Sequence, residues 1–424
     1  MPRLTFATVV ALSVAGCTCG PSMTADAGEV DAGLPDAAVD AGRPDAGLDA
    51  GLPDAGEPDA GEPDAGPDDG GCRYRLTVQP LQWSTGRPVA LELADLDGDG
   101  DLDVIVATTG RLEVRLNDGQ GGFFASSLFA PIAAQTLWVS DVDGDGRLDV
   151  VAVDALGALT VLFGNGDGTF TVGRTLDAGQ PFYVPSDTAL GDLDRDGRSD
   201  FVTLDVGSAL PELRVVRGAF DGGVPRAQTG SHRLGLFDVT GDGLVDALVG
   251  KAQYGLGLHP GDGDGGFGAE TVFLGSTAVN SFVLRDVTGD GLPDAVCATG
   301  FYDVVSGLTM GAGVSVLRGT GTAAGFVEPL VAPRGRDIIW AIGLADLNRD
   351  GVLDAVTTRL AFDGGVEVLA GDDAGAFTQL ARVNGRNGWA LAVGELNGDG
   401  FPDVVVGSGA GTSGEVQVMF GGCR

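Results

Sequence analysis

The chain has 424 residues, 43% of them hydrophobic, which is enough apolar material for a large core. Its 60 acidic side chains outnumber 25 basic ones, for a formal net charge of −35 at pH 7. That balance argues against nucleic acid and anionic lipid as partners.

From the N-terminus, Arg3 precedes an apolar run, Leu4 to Ala15, that ends in Val-Ala-Gly-Cys at Cys17. The run is too short to span a bilayer and reads as a signal peptide. Its last four residues resemble a bacterial lipobox, so residues 1–17 are expected to direct export, with lipid carried on Cys17. Thr18 follows the cysteine, and the absence of Asp there points by analogy to the outer membrane or cell surface of a bacterium. Residues 18–71 are built from DAG and PDAG units and hold 14 acids against Arg43 alone. Such a segment cannot bury a core and repels itself, so it is expected to be a disordered linker. At ~3.1 Å per residue, 50 residues reach about 150 Å at most, enough for a stalk.

After residue 71 a nine-residue pattern repeats seven times: DLDGDGDLD at Asp95, DVDGDGRLD at Asp141, DLDRDGRSD at Asp192, DVTGDGLVD at Asp238, DVTGDGLPD at Asp286, DLNRDGVLD at Asp346 and ELNGDGFPD at Glu395. The starts lie 46, 51, 46, 48, 60 and 49 residues apart, a repeat period near 50. Oxygen-bearing side chains recur at positions 1, 3, 5 and 9, as a hard cation such as Ca²⁺ requires. They are Asp95, Asp97, Asp99 and Asp103; Asp141, Asp143, Asp145 and Asp149; Asp192, Asp194, Asp196 and Asp200; Asp238, Thr240, Asp242 and Asp246; Asp286, Thr288, Asp290 and Asp294; Asp346, Asn348, Asp350 and Asp354; and Glu395, Asn397, Asp399 and Asp403. Position 7 varies freely, which fits a backbone carbonyl ligand, and position 6 is always Gly, as a turn needing φ > 0 demands. Position 2 is always aliphatic and reads as a plug into the core.

An EF-hand would need Glu at position 12 and a following helix. Position 12 here is Val106, Ala152, Thr203, Val249, Cys297, Thr357 and Val406, inside β-branched runs such as VIVATT, so each loop joins two strands. A single D-x-D-x-D-G is a weak signal because Asp-Gly turns are common. Seven in register single out cation sites, about seven Ca²⁺ in all, which would cancel about 14 negative charges. Loops 1 to 3, with four carboxylates each, are expected to bind best, the Asn348 and Asn397 loops less well, and the Thr240 and Thr288 loops least.

These loops, with a downstream G-x-G-x-F turn as in FGNGDGTF ending at Phe170, resemble the FG-GAP/VCBS repeats of integrin α-subunit heads and many bacterial surface proteins. The resemblance covers residues 72–424. It implies an all-β fold: a seven-bladed β-propeller of four-stranded antiparallel blades. In the first repeat VALELADL, DVIVATT, LEVRLND and FFASSLF supply strands a to d. The last repeat offers only three strands, and RYRLTVQPL at 73–81 is expected to close the ring as the fourth. That places Cys72 beside Cys423, and export permits a disulfide there. Closing a loop of ~350 residues would contribute on the order of 5 kcal/mol at most. Cys297, in AVCATG, reads as core.

On the face opposite the loops, the residues six places before each loop are Val89, Gln135, Ser186, His232, Asn280, Trp340 and Trp389. Gln135, His232, Asn280, Trp340 and Trp389 form a candidate ligand ring that could stack on and hydrogen-bond a sugar; the alternative is that the Trp residues are inter-blade core. The 299–313 connection adds Phe301, Tyr302, Asp303 and Met310, and 177–187 is a further candidate loop. Only His232 and His259 exist, and no nucleophile elbow, HExxH or phosphate loop occurs. The expectation is therefore a non-catalytic, calcium-stabilised, monomeric binding protein for a surface protein or glycan, touching membrane through its lipid anchor only and not binding nucleic acid. The alternatives are a lectin-like carbohydrate binder with inter-blade pockets or a calcium-dependent polysaccharide-active enzyme.

Overall fold

In a computed structural model, the described residues are 74–423 apart from 126–131, 155–157, 178–184, 206–211, 221–232, 252–254, 276, 304–307, 332–337, 361–363 and 386. Cys17, Cys72 and His232, and the leader and linker as a whole, lie outside them. The described residues form seven antiparallel sheets, six of four strands and one, in the third repeat, of three. The fold is the expected seven-bladed propeller. Among the described residues no helix is long and apolar enough to cross a membrane.

Blade 1 shows how the sequence builds a blade. Strand a (Pro88–Ala94) leads into the first loop, strand b (Asp103–Thr108) returns, and strands c (Leu112–Asn117) and d (Phe123–Ala125) follow in sheet order. Every residue of strand b is buried. Alternate side chains point to opposite faces of a strand, so this β-branched run serves two interfaces. Val104 and Val106 pack with Val405, Val416 and Val418 of blade 7, while Ile105 and Ala107 pack with Leu137, Val150 and Ala152 of blade 2. The core is thus distributed between blades, and each buried Val or Ile contributes about 1.5–3 kcal/mol. The position-2 residues Leu96, Val142, Leu193, Val239, Val287, Leu347 and Leu396 are all buried in these inter-blade clusters, as the plug reading requires. Cys297 is a buried free thiol in one of them, its pKa pushed up to about 12 by burial.

The a strands of neighbouring blades pack against one another: that of blade 1 against blades 2 and 7, that of blade 6 against blades 5 and 7. They therefore line the centre of the ring. With the nine-residue loops at one end of strand a, the start of strand a marks the opposite rim.

Closure uses the N-terminal strand, which pairs antiparallel with strand c of blade 7 (Ser413–Phe420). It is displaced from the expected 73–81. A bridge joins Tyr74 to Cys423, and the strand proper is Thr77–Gly86, with an irregularity between Val78 and Gln82 around Pro80. Pro80 lacks an N–H and cannot continue a ladder. Trp83, in the added length, packs on Phe123 of blade 1 at 5.9 Å between ring centroids, so one strand joins both ends of the ring. Cys423 is disulfide-bonded.

The 60-residue spacing between loops 5 and 6 lies in the 299–313 segment. Residues 299–313 are not an open loop. Strands Asp294–Asp303 and Leu308–Gly319 of blade 5 extend as one hairpin, pairing Phe301 with Met310, Tyr302 with Thr309 and Asp303 with Leu308. The aromatic pair Phe301 and Tyr302 continues the ladder past a bulge at Gly300.

Candidate functional site

Each nine-residue loop is folded by its own carboxylates. Asp95 accepts the N–H groups of Gly98 (2.7 Å) and Gly100 (3.1 Å), Asp97 accepts that of Asp99 (3.3 Å), and Asp99 accepts that of Asp101 (3.0 Å). The bond from position 5 to the N–H of position 7 recurs in all seven loops, through Asp145, Asp196, Asp242, Asp290, Asp350 and Asp399. Position 6 is glycine with φ between 78° and 100° throughout. These turns bring acidic oxygens together. In loops 1 to 3, oxygens of Asp95, Asp97 and Asp99, of Asp141, Asp143 and Asp149, and of Asp192, Asp194 and Asp200 lie within 4.8 Å of one another in each set. An all-oxygen donor set of this kind fits a hard divalent cation.

Position 9 has a second task. Its seven aspartates are at most 1% exposed. Asp103 accepts the N–H of Leu96 and that of Asn117, both at 2.8 Å, which ties the loop to the end of strand c. Asp149, Asp246, Asp294, Asp354 and Asp403 repeat the arrangement with Gly164, Gly261, Gly319, Gly371 and Gly421. Burial, offset by these N–H donors and reinforced by neighbouring carboxylates, raises the pKa of Asp103 to about 6, of Asp354 to about 6 and of Asp403 to about 7. A bound cation would relieve that crowding.

The loops differ where their sequences do. At position 3 of loops 4 and 5 the hydroxyls of Thr240 and Thr288 are buried without a hydrogen-bond partner. Their own N–H groups turn to Asp246 and Asp294, at 2.9 and 3.1 Å. An orphaned hydroxyl beside an acidic loop can complete a cation's oxygen shell, as a weaker ligand than carboxylate. Loops 3 and 6 carry Arg195 and Arg349 at position 4, both at φ 61°, where the other loops have glycine. Each reaches to the next blade. Arg195 donates to the carbonyl of Gly243, and Arg349 donates to those of Gly400 and Asp399, both at 2.9 Å, and stacks on Phe401 at 3.8 Å. A methyl group added to Gly400 would overlap the Arg349 guanidinium.

At the opposite rim, three of the candidate ring residues come together. Trp340 and Trp389 meet edge to face at 5.5 Å. The Asn280 side-chain amide donates to Gly300 O (2.8 Å) in its own blade and to Ile339 O (2.9 Å) beside Trp340. Asn280 is thus an inter-blade tie whose N–H groups are already used. The Trp389 indole N–H donates to Gly409 O (2.8 Å) and fixes that ring. Gln135 is half-buried at the start of strand a in blade 2, and Tyr302 lies in the blade 5 hairpin.

Two residues missed by the sequence reading complete this rim. The Arg87 guanidinium lies 4.5 Å from the Trp389 ring centroid, and that of Arg233 lies 5.1 Å from Trp340. Arg233 Nε also donates to Asn280 O (3.1 Å). The result is a row, Arg87–Trp389–Trp340–Arg233, drawn from blades 1, 7, 6 and 4. Burial lowers the pKa of both arginines; for Arg233 the nearby Asp187 works against it. Each immediately precedes its own strand a, and that shared position was the available signal.

Residues 95–140 and 141–203 match the FG-GAP-like repeat family, and residues 387–419 match the FG-GAP repeat. No curated protein matches the chain. Among solved structures, the crystal structure of BBS1N in complex with ARL6DN, soaked with mercury, is similar with a TM-score of 0.52 at 11% identity, over 82% of this chain and 97% of that one. At that identity the likeness speaks to the fold alone. The Photorhabdus luminescens Tc holotoxin pore is similar over 82% of this chain and 17% of its own, at 15% identity and a TM-score of 0.33. The matched stretches carry loops 1, 2, 3 and 7 of the seven-bladed ring.

Proposed function

We propose that this protein is a non-catalytic recognition module, a propeller stiffened by calcium at one face and binding a surface protein or glycan at the other. The observation that carries the reading is the division of labour along strand a: carboxylate loops at one end, a stacked row of arginine and tryptophan at the other. Clustered carboxylates repel one another, and a divalent ion bound to them stabilises the fold it bridges. The opposite rim offers aromatic surface and charge, the common equipment of binding faces. His259 is engaged in a group with Lys251 and Glu270 in blade 4, its Nε2 3.3 Å from Glu270. In the proposed setting the module is exported, lipid-anchored through Cys17 and held off the membrane by the 18–71 stalk. Cys72, two residues before Tyr74, is the proposed partner of Cys423. A carbohydrate ligand is the favoured alternative to a protein, because Trp340 and Trp389 lie together.

The test is capture of ligand from cell-surface extracts by the full chain, with and without calcium, and by Trp389→Ala. The reading expects capture that needs calcium and is lost in the variant. Equal capture by both proteins would refute a ligand face at this rim, and turnover of a polysaccharide would refute the non-catalytic assignment.

A further inference from the structure

The row of stacked side chains contains one group whose chemistry is incomplete. Arg87 Nε is buried and has no hydrogen-bond partner. Among the described residues no acid forms an ion pair with the Arg87 guanidinium. Trp389 holds it from below, and the indole is itself fixed by its bond to Gly409 O. A buried, unpaired guanidinium donor is costly to leave unmade. The planar fork of arginine matches a carboxylate.

We propose that Arg87, seated on Trp389, receives the carboxylate of an acidic sugar. This deepens the recognition reading above and rests on it. Three observations select that ligand class. First, the backbone beside Arg87 has little to offer: Pro88 has no N–H, and the Arg87 carbonyl already accepts the N–H of Thr109 at 3.1 Å. A peptide terminus, which is recognised largely through backbone groups, would find few here. Second, Trp340 and Trp389 are half-buried, so ring surface adjoins the cation, as the apolar C–H face of a sugar requires. Third, the net charge of −35 repels long polyanions, whereas one carboxylate on a small ligand feels mainly the local cation.

The experiment is calorimetric titration of the full chain, calcium-loaded, with galacturonate, galactose and inorganic phosphate. Galacturonate is expected to bind at least about tenfold more tightly than either of the others. Arg87→Gln should weaken it by about tenfold or more, and Arg87→Lys, which keeps the charge and loses the fork, by less. Arg115→Gln, which removes a guanidinium stacked 5.3 Å from Trp83, should leave binding unchanged and serves as the control. Thermal melts of the variants report whether they remain folded. No galacturonate binding, unchanged binding in a folded Arg87→Gln, or phosphate binding as tight as galacturonate would each overturn the proposal. Equal binding of galactose and galacturonate, both lost in Trp389→Ala, would overturn the acid specificity and leave the rim standing as a ligand face. Loss of surface-extract capture in none of the rim variants would remove the recognition reading itself.

Discussion

The two ends of strand a are built by opposite strategies. At the loop end, nine consecutive residues contain nearly all the groups that shape the site, and Asp95 finds its partners three and five residues on. At the other rim, Arg87, Trp389, Trp340, Asn280 and Arg233 come from five blades and meet only when the ring closes. A local site survives as long as its hairpin does. A distributed site depends on the whole wheel. Metal should therefore act on the rim at a distance, through ring stability, with no direct contact.

The largest effect that sharpens this contrast is chelation. A cation held at 100 times its Kd stabilises a fold by about 2.7 kcal/mol per site. Several sites should move the melting temperature by on the order of ten degrees or more. An identical melt in excess chelator would deny the loops a structural cation. Next is loss of a position-9 clamp. Asp403→Ala strips acceptors from the buried N–H groups of Leu396 and Gly421, at about 1–3 kcal/mol each. Denaturant unfolding should show a loss of at least about 2 kcal/mol, whereas a near-neutral result would mean position 9 is not a clamp.

The pH dependence follows from the same residues. Asp103, Asp354 and Asp403 titrate at about 6, 6 and 7 in the cation-free fold, above the usual 3.8. The native state then keeps protons that the unfolded chain has released. Stability without cation should fall as pH rises from about 4 to about 7. Melts in chelator at pH 5.0 and pH 7.5 test this: the lower pH should melt higher, and calcium should flatten the trend. A chelated protein that melts higher at pH 7.5 contradicts the sign.

Smaller still is the strap between loops 6 and 7. Arg349→Gly removes two charge-assisted hydrogen bonds and a cation–π contact but relieves a left-handed backbone cost of roughly 1–2 kcal/mol. A net loss of about 1 kcal/mol is expected, and a stabilised variant would show that the strap is ornamental. Smallest is the difference between loops: Asp99→Ala should cost more than Asp290→Ala, because loop 1 gathers three acids where loop 5 has Thr288. Equal calcium losses in the two variants would erase the ranking of loops.

The same contrast explains what the sequence could and could not disclose. Asp-x-Asp-x-Asp-Gly is legible because its hydrogen bonds run two to five residues along the chain. The strand at Val104, Ile105, Val106 and Ala107 is legible because β-branched residues favour strands. The clamp at position 9 was only half legible: its spacing read as a ligand, but its bond to Asn117 depends on where strand c ends. Arg195 and Arg349 stood in plain view at position 4 and carried no signal until their loops lay beside the next blade. Asn280 looked like a sugar-binding amide, and its donors prove to be spent on Gly300 and Ile339. The closing strand was placed early because Pro80 interrupts a ladder that Trp83 then resumes.

Cation stoichiometry tests the central claim most directly. Native mass spectrometry or equilibrium dialysis of the full chain at millimolar calcium should find about seven ions, with the sites of loops 1 to 3 the last to empty on dilution. A protein that folds and melts normally with none bound would contradict the account at its base.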